Sequence, residues 1–361
     1  MSGMQRFMDL TWDEFQALAP AAKIRYYNRE DRPYHVLTAQ QFDRPMLDRL
    51  CALATSIRRI AKTKVGMDYL AGLLRHKRAM LYFSQPSSRT FLSFHAACQI
   101  LGMNVSEVRD AATSSEMKGE SQEDSIRTFS SYADLLIMRT PVQGFAEKMA
   151  WLLSGTERPV PILNAGSGKD QHPTQALLDI YTLQRSFEHT GGIEGKTILF
   201  VGDLLRGRTV RSLSNLLTHY PRVKQLFVAP PSLQIGGDVL AQLDAAGVEY
   251  ELSSEFEKRI PAADAIYMTR IQDEWDNPAE RGQIDISSYS FGERHLAALK
   301  PMGVILHPLP RRSEIAVAVD RDPRAVYWRQ VRNGMWIRVA LMATIFGRDR
   351  DLAAYFQDNL G

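Results

Sequence analysis

The chain has 361 residues, 45% hydrophobic and 24% charged, with 44 Lys and Arg against 41 Asp and Glu for a net charge of +3. A near-balanced charge with no block of one sign argues against a nucleic-acid partner. No run of about 18 apolar residues is present, so no membrane span is expected. Cys51 and Cys98 stand in apolar stretches outside any Cys-x-x-Cys pair. They read as buried thiols of a reducing compartment. The eight histidines have no metal-ligand spacing. The N-terminal stretch carries acids early and lacks the apolar core of a signal peptide. A soluble cytoplasmic protein is expected.

In chain order, β-rich runs occur at 78–83, 104–108, 133–140 and 159–166, then at 196–202, 225–230, 249–254, 264–270 and 303–310. Helical patterns separate them, among them FAEKMAWLLSG, QALLDIYTLQRSFE and TVRSLSNLLTHY. Alternation of this kind predicts an α/β protein with parallel sheets flanked by helices. The Gly-rich HTGGIEGK (189–196) breaks the rhythm and is a candidate separator of two lobes. The last stretch, RNGMWIRVALMATIFGRDRDLAAYFQ, reads as one long helix that packs on structure already built.

Ligands of open α/β sheets sit beyond the carboxyl ends of the strands. The residues there are Ser87–Thr90, Arg139–Thr140, GSGKDQHPTQ, GDLLRGRT, TRIQ and HPLPRR. These segments are rich in Arg, His, hydroxyls and amides and poor in acids, a composition suited to anions. Ser87, Ser88 and Thr90 at a helix start, beside Arg89, make a seat for phosphate or carboxylate; the competing reading is an ordinary N-cap. His172 precedes Pro173 at a helix entrance, where a neutral imidazole can donate to a carbonyl oxygen; capping serves equally well as an explanation. VGDLLRGRTV is a near-miss of a P-loop, with Arg208 where Lys is required, and ranks an NTPase low. The polar stretch 110–124, with Ser114 and Lys118, is either a solvated loop or a flap that delivers an ammonium to an anion.

Together and in this order the segments resemble the aspartate/ornithine carbamoyltransferase family, and within it the aspartate-using catalytic chains. PSSRTFLSF resembles the family's phosphate motif and SSEMKGES its lysine loop. HPTQALLDI, VGDLLRGRTVRSL, YMTRIQDE, HPLPRRSEI and the closing DRDPRAVYWRQVRNGMWIRVALMATIFGR follow the family closely. The resemblance covers about residues 34 to 350. It implies an N-terminal extension at 1–33 and a carbamoyl-phosphate-binding domain at 34–185 plus 332–361. An aspartate-binding domain at 186–331 completes it, with the C-terminal helix returning to the first lobe. It also implies a homotrimer in which Ser114 and Lys118 reach a neighbour's site, with room for a higher assembly or regulatory chains.

The same resemblance implies the chemistry: transfer of a carbamoyl group from carbamoyl phosphate to L-aspartate, an early step of pyrimidine biosynthesis, with no cofactor or metal. Ser87, Ser88, Arg89, Thr90, Arg139, Ser114 and Lys118 would hold the phosphate. Thr90, Arg139 and His172 would stabilise the oxyanion, with Lys118 also counted as catalytic. Gln175 and the carbonyls of Leu309 and Pro310 would hold the carbamoyl amino group. Arg208 and Arg270 would take the aspartate carboxylates, with Gln272 and Lys118 assisting. Pro308 in the HPLP loop, and the charge of Arg270, favour aspartate over ornithine. The chain departs from the family at Gln85 (usually Glu), Ser88 (Thr), Phe91 (Arg), His95 (Glu) and Trp275 (Arg), changes that bear on closure. A catalytically silent homologue acting as an assembly or regulatory subunit, and transfer to another acidic amino acid, stay open as alternatives.

Overall fold

A computed structural model describes residues 9–109, 119–168, 171–270 and 286–361. The chain forms two compact units, residues 1–177 with 334–361 and residues 178–333. The first unit opens with α1 (Trp12–Gln16), α2 (Pro20–Tyr27) and a small hairpin, β1 (Asn28–Arg29) and β2 (Arg32–Pro33). Then come α3 (Arg44–Ile60), α4 (Lys64–Gly72), β3 (Arg78–Phe83), α5 (Ser88–Ile100), β4 (Asn104–Val108) and α6 (Gln122–Ser130). They are followed by β5 (Leu135–Thr140), α7 (Phe145–Ser154), β6 (Ile162–Ser167) and α8 (Pro173–Phe187), within which the boundary to the second unit falls.

Local chemistry fixes these elements. Helix α3 starts where the Asp43 carboxylate accepts from the Met46 amide at 2.9 Å, with proline in the first turn. Its buried residues Met46, Leu47, Leu50, Cys51, Ala54, Ile57 and Ile60 recur at helical spacing. Strand β5 is buried at every position, as a central parallel strand covered on both faces must be. The sheet is parallel throughout, in the order β4-β3-β5-β6. The chain therefore lays β4 on one side of β3 and β5 and β6 on the other, and the strand order reverses between β3 and β5. A crevice opens at such a reversal, beyond the carboxyl ends of the two strands.

The second unit takes the same form. It contains β7 (Thr197–Val201), α9 (Arg208–Leu217), β8 (Lys224–Val228), α10 (Gly237–Ala245), β9 (Tyr250–Ser253), α11 (Phe256–Arg259), β10 (Ala265–Met268) and β11 (Val304–Leu306). Its parallel sheet runs β11-β10-β7-β8-β9, so the order reverses between β7 and β10. Leu199, Val201, Ile266, Met268 and Ile305 bury one face of it against Phe256, Phe291 and Tyr327.

One expectation changes. The closing segment is two helices, α12 (Tyr327–Ile345) and α13 (Asp349–Leu360). Gly347 ends α12 at φ +67°, the left-handed glycine cap in which the Gly347 and Arg348 amides donate to Thr344 and Ala343. Helix α13 then returns to α3 and α4: Arg59 donates to the Leu360 carbonyl at 3.0 Å and Tyr69 stacks on Tyr355 at 3.7 Å.

The N-terminal extension, given no role above, is built into the first unit. Thr11 and Glu14 form a capping box for α1. Phe15, Tyr26 and Tyr27 join the core made by Met80, Tyr82, Met138 and Met149. Trp12 packs on Trp151, whose indole donates to the Leu10 carbonyl at 3.1 Å. Lys23 pairs with Glu147 of α7 at 3.1 Å, and the Tyr27 hydroxyl donates to the same carboxylate. Because Phe15 is fully buried, Phe15→Ala should cost roughly 3–5 kcal/mol, read as a lowered urea midpoint. An unchanged midpoint would show the extension is not part of the folded core.

Candidate active site

In the first unit, β3 and β5 are the strands at which the order reverses, and Phe83 is paired in register with Arg139. The segment Ser84–Thr90 thus leaves the sheet beside Arg139; the Gln85 amide donates to the Arg139 carbonyl at 3.3 Å. Ser87 occupies the N-cap of α5 with extended backbone but makes no side-chain capping bond. A plain capping serine would use its hydroxyl on the helix, so the ordinary-N-cap reading loses its main support. Ser87 and Thr90 are half-buried, and Ser88 and Arg89 are exposed.

Arg139 is only 7% exposed. Space for it comes from a bulge. Met138 pairs with Asn164, but Thr140 pairs with Ser167, so β6 carries one more residue than β5 across this step. The Asn164 side chain stitches the bulge, accepting from the Gly166 amide at 2.8 Å and donating to Ser167 and to the Leu37 carbonyl. The Arg139 guanidinium donates to the Ala165 carbonyl at 3.1 Å. Gly166 has φ +113°, and a Cβ there would lie 2.6 Å from Arg139 Nη1 and 3.4 Å from His172 Cδ2. The absence of a side chain at Gly166 therefore leaves room for two of the predicted catalytic side chains, Arg139 and His172. His172 is buried and ends its segment against α8, its carbonyl accepting from the Gln175 amide at 2.9 Å. Gln175, also buried, sits in the first turn of α8.

Arg338 of α12 was not singled out in the sequence. It is 3% exposed, donates to Ser93 of α5 at 2.7 Å and to Thr174 of α8 at 3.3 Å, and lies over the Phe94 ring. It links the two helices whose first turns carry the predicted phosphate and carbamoyl contacts. The signal was a lone arginine inside the apolar run WIRVALMATI. A cavity of about 260 Å³ in this unit, lined by Tyr34, Lys77, Asp134, Arg158 and Phe346, lies at the amino ends of the strands. It is at the wrong edge to be the predicted seat.

The departures near α5 are locally consistent. Phe91 is buried edge-on against Phe83 at 5.3 Å, with the Arg109 guanidinium 4.4 Å over its ring and His95 at 5.9 Å. An aromatic cluster stands where the resemblance led us to expect an Arg and a Glu one turn apart. The Gln85 side-chain carbonyl finds no donor among the described residues. A carboxylate left without a cation there would be far more costly than an amide.

In the second unit, Arg208 and Arg270 follow β7 and β10, the strands at that sheet's reversal. Both are half-buried, and burial pulls the Arg208 pKa down from its ordinary value, although a guanidinium stays charged. The first glycine of the P-loop near-miss has a structural explanation. Gly202 has φ +118°, and a Cβ would lie 2.2 Å from the Thr269 carbonyl, so glycine lets the two strand ends approach. Leu309 and Pro310 leave β11 beside β10; Leu309 is left-handed at φ +56° and its bond to Pro310 is cis. Ser114, Lys118, Gln272 and Trp275 lie outside the described residues.

Two parallel sheets, each with cationic side chains at its own strand-order reversal, define a doubly wound α/β protein suited to anionic ligands. Residues 34–185 match the profile described as aspartate/ornithine carbamoyltransferase, carbamoyl-P binding domain, and residues 194–345 match that family's Asp/Orn binding domain. The chain belongs to the aspartate/ornithine carbamoyltransferase family. It is 39% identical to the chloroplastic aspartate carbamoyltransferase of Arabidopsis thaliana over 85% of this chain and 76% of that one. It is also 39% identical to the multifunctional proteins pyr1-3 of Dictyostelium discoideum and CAD of Squalus acanthias, but spans 13% and 14% of their lengths. Among solved structures, it resembles Trypanosoma cruzi aspartate transcarbamoylase with N-(phosphonacetyl)-L-aspartic acid, with a TM-score of 0.77 and 36% identity over 86% of this chain and 95% of that one. The catalytic subunit of M. jannaschii aspartate transcarbamoylase gives a TM-score of 0.77 at 33% identity over 91% of this chain and 99% of that one.

If the family's reaction is this chain's, as proposed below, Gly166→Ala should lower its turnover by about 10²-fold, because an added methyl displaces Arg139 by a sizeable fraction of an ångström. Steady-state kinetics on the folded variant checks this, and turnover equal to the parent would contradict the packing of Arg139 on Gly166.

Proposed function

We propose that the chain transfers the carbamoyl group of carbamoyl phosphate to the amine of L-aspartate, releasing N-carbamoyl-L-aspartate and phosphate, at the entry to pyrimidine biosynthesis. The observation that supports this reading is that Arg139 and His172 both lie close to Gly166 at the reversal of the first sheet, in a member of this family. Ser87, Ser88, Arg89 and Thr90, at the start of α5, hold the phosphate with Arg139. Ser114 and Lys118 complete that set. Thr90, Arg139 and His172 stabilise the oxyanion that forms when the amine adds to the carbamoyl carbon. Gln175 and the carbonyls of Leu309 and Pro310 receive the carbamoyl amino group.

Arg208 and Arg270 each take a carboxylate of aspartate, with Gln272 and Lys118 beside them. The new N–C bond forms, the bond between the carbamoyl carbon and the bridging oxygen breaks, and phosphate leaves with that electron pair. The attacking amine gives up a proton, which the departing phosphate takes up. Fixed positive charge and positioning bring two anions together, which is where the rate gain arises. Arg270 attracts a side-chain carboxylate and repels the ammonium of ornithine.

Incubation with carbamoyl phosphate should give carbamoylated product with L-aspartate and none with L-ornithine. His172→Ala and Arg139→Ala should each lose about 10²–10³ in turnover. No product from either amino acid would move the reading to a silent subunit, and near-parental rates in either variant would remove that residue from the mechanism.

The assembly we propose is a homotrimer in which Ser114 and Lys118 of one subunit serve its neighbour. Mixing inactive Lys118→Ala and His172→Ala subunits should then restore about a quarter of the parental activity, because a ring of mixed subunits contains sites with both residues intact. Failure to recover activity after verified subunit exchange would mean each site is built from one chain.

A further inference from the structure

The segment after β11 is held by a buried pair that the mechanism above does not use. His307 and Glu314 are 2% and 5% exposed. The His307 Nδ1 accepts from the Leu309 amide at 2.7 Å, which leaves Nε2 to carry the ring proton and donate to Glu314 Oε1 at 2.7 Å. The Glu314 carboxylate also accepts from the Arg312 amide, at 3.0 and 3.1 Å to its two oxygens. Burial alone would raise the Glu314 pKa, but the His307 and backbone donors outweigh it and hold the carboxyl below its usual range.

The ring of contacts is anchored from outside. The His307 amide donates to Gln330 of α12 at 2.9 Å, Gln330 donates to Asp179 of α8 at 2.6 Å, and the Tyr267 hydroxyl of β10 donates to the same carboxylate at 2.8 Å. The Phe291 amide donates to the Glu314 carbonyl at 2.8 Å. Both ends of residues 307–314 are therefore fixed. Leu309 lies between them in the left-handed region, an uncommon state for a branched side chain. Such a conformation persists when its surroundings over-determine it.

We infer that His307, oriented by Glu314, is a positioning residue that sets the carbonyls of Leu309 and Pro310 for the carbamoyl amino group, through the bond from the Leu309 amide to Nδ1. The inference rests on the reading of Leu309 and Pro310 given under the proposed function. It assigns His307 no contact with substrate and no proton transfer. It makes the unprotonated Nδ1 the feature that matters.

Two half-mimics separate the two bonds of the imidazole. His307→Asn places an amide oxygen where Nδ1 stands and keeps an acceptor for the Leu309 amide. His307→Gln places an amide nitrogen where Nε2 stands and keeps only the donor to Glu314. The Gln variant should lose about 10²-fold in turnover, the scale of a misplaced contact, and the Asn variant should stay within about fivefold of the parent, since its retained acceptor keeps the contact in place. The KM for carbamoyl phosphate should rise in the Gln variant while inhibition by inorganic phosphate, which has no carbamoyl group, stays unchanged.

Equal turnover in the Gln variant and the parent would overturn the inference. So would equal losses in both variants, or a matching loss of phosphate affinity. A parent that makes no carbamoyl-aspartate overturns the reading beneath the inference, and the inference with it. If His307→Gln does not fold, nitrogen NMR of the unaltered protein decides: a neutral ring protonated at Nε2 at pH 7 supports the inference, and a proton on Nδ1 overturns it.

Discussion

Arg139 is the constraint around which the first unit is arranged. A guanidinium keeps its charge at any accessible pH, and burying it demands donors' partners and space at the end of a packed parallel strand. The bulge in β6 supplies the space, Gly166 the clearance, and the Ala165 carbonyl an acceptor. The surrounding features serve that arrangement: Asn164 holds the bulge, the β3–β5 register sets Ser84–Thr90 alongside, and Arg338 ties α5 to α8.

The second unit meets a similar requirement differently. Its arginines follow β7 and β10, and Gly202 lets those strand ends approach closely enough for the Thr269 amide to reach the Val201 carbonyl. The loop after β11 is fixed instead by a neutral imidazole and a carboxylate, tied through Gln330 and Asp179 to α8 and β10. One unit uses a backbone irregularity to place charge, the other a side-chain network to place carbonyl oxygens. Both exploit the same property of doubly wound sheets, a crevice where the strand order reverses.

Much of this was legible in the chain. The β-rich runs mark the strands to within a few residues, because parallel strands buried on both faces need continuous apolar sequence. The polar residues at their ends were found by the same logic. Strand order was not legible, since pairing is set by long-range packing and leaves no local mark; the reversals that select Arg139, Arg208 and Arg270 became visible only with the sheets. The β6 bulge left a faint trace in Asn164 and Gly166, polar and glycine positions within an apolar strand. Arg338, His307 and Glu314 act through partners far away in sequence, and the residue types alone could not name those partners. The closing helix was read as one because Gly347 sits in an otherwise helical pattern, where a single glycine is ambiguous between a tolerated interior residue and a cap. The extension's apolar residues were visible, but their burial against α7 was not.

The most direct test of the account is equilibrium binding of a phosphonate–aspartate bisubstrate analogue by calorimetry, comparing the parent with Arg139→Ala. The account predicts one analogue bound per chain and an affinity lowered by about 10²–10³ in the variant, the cost of removing one member of a desolvated charge pair. An absence of binding, or an affinity indifferent to Arg139, would contradict the claim that this buried charge organises the site.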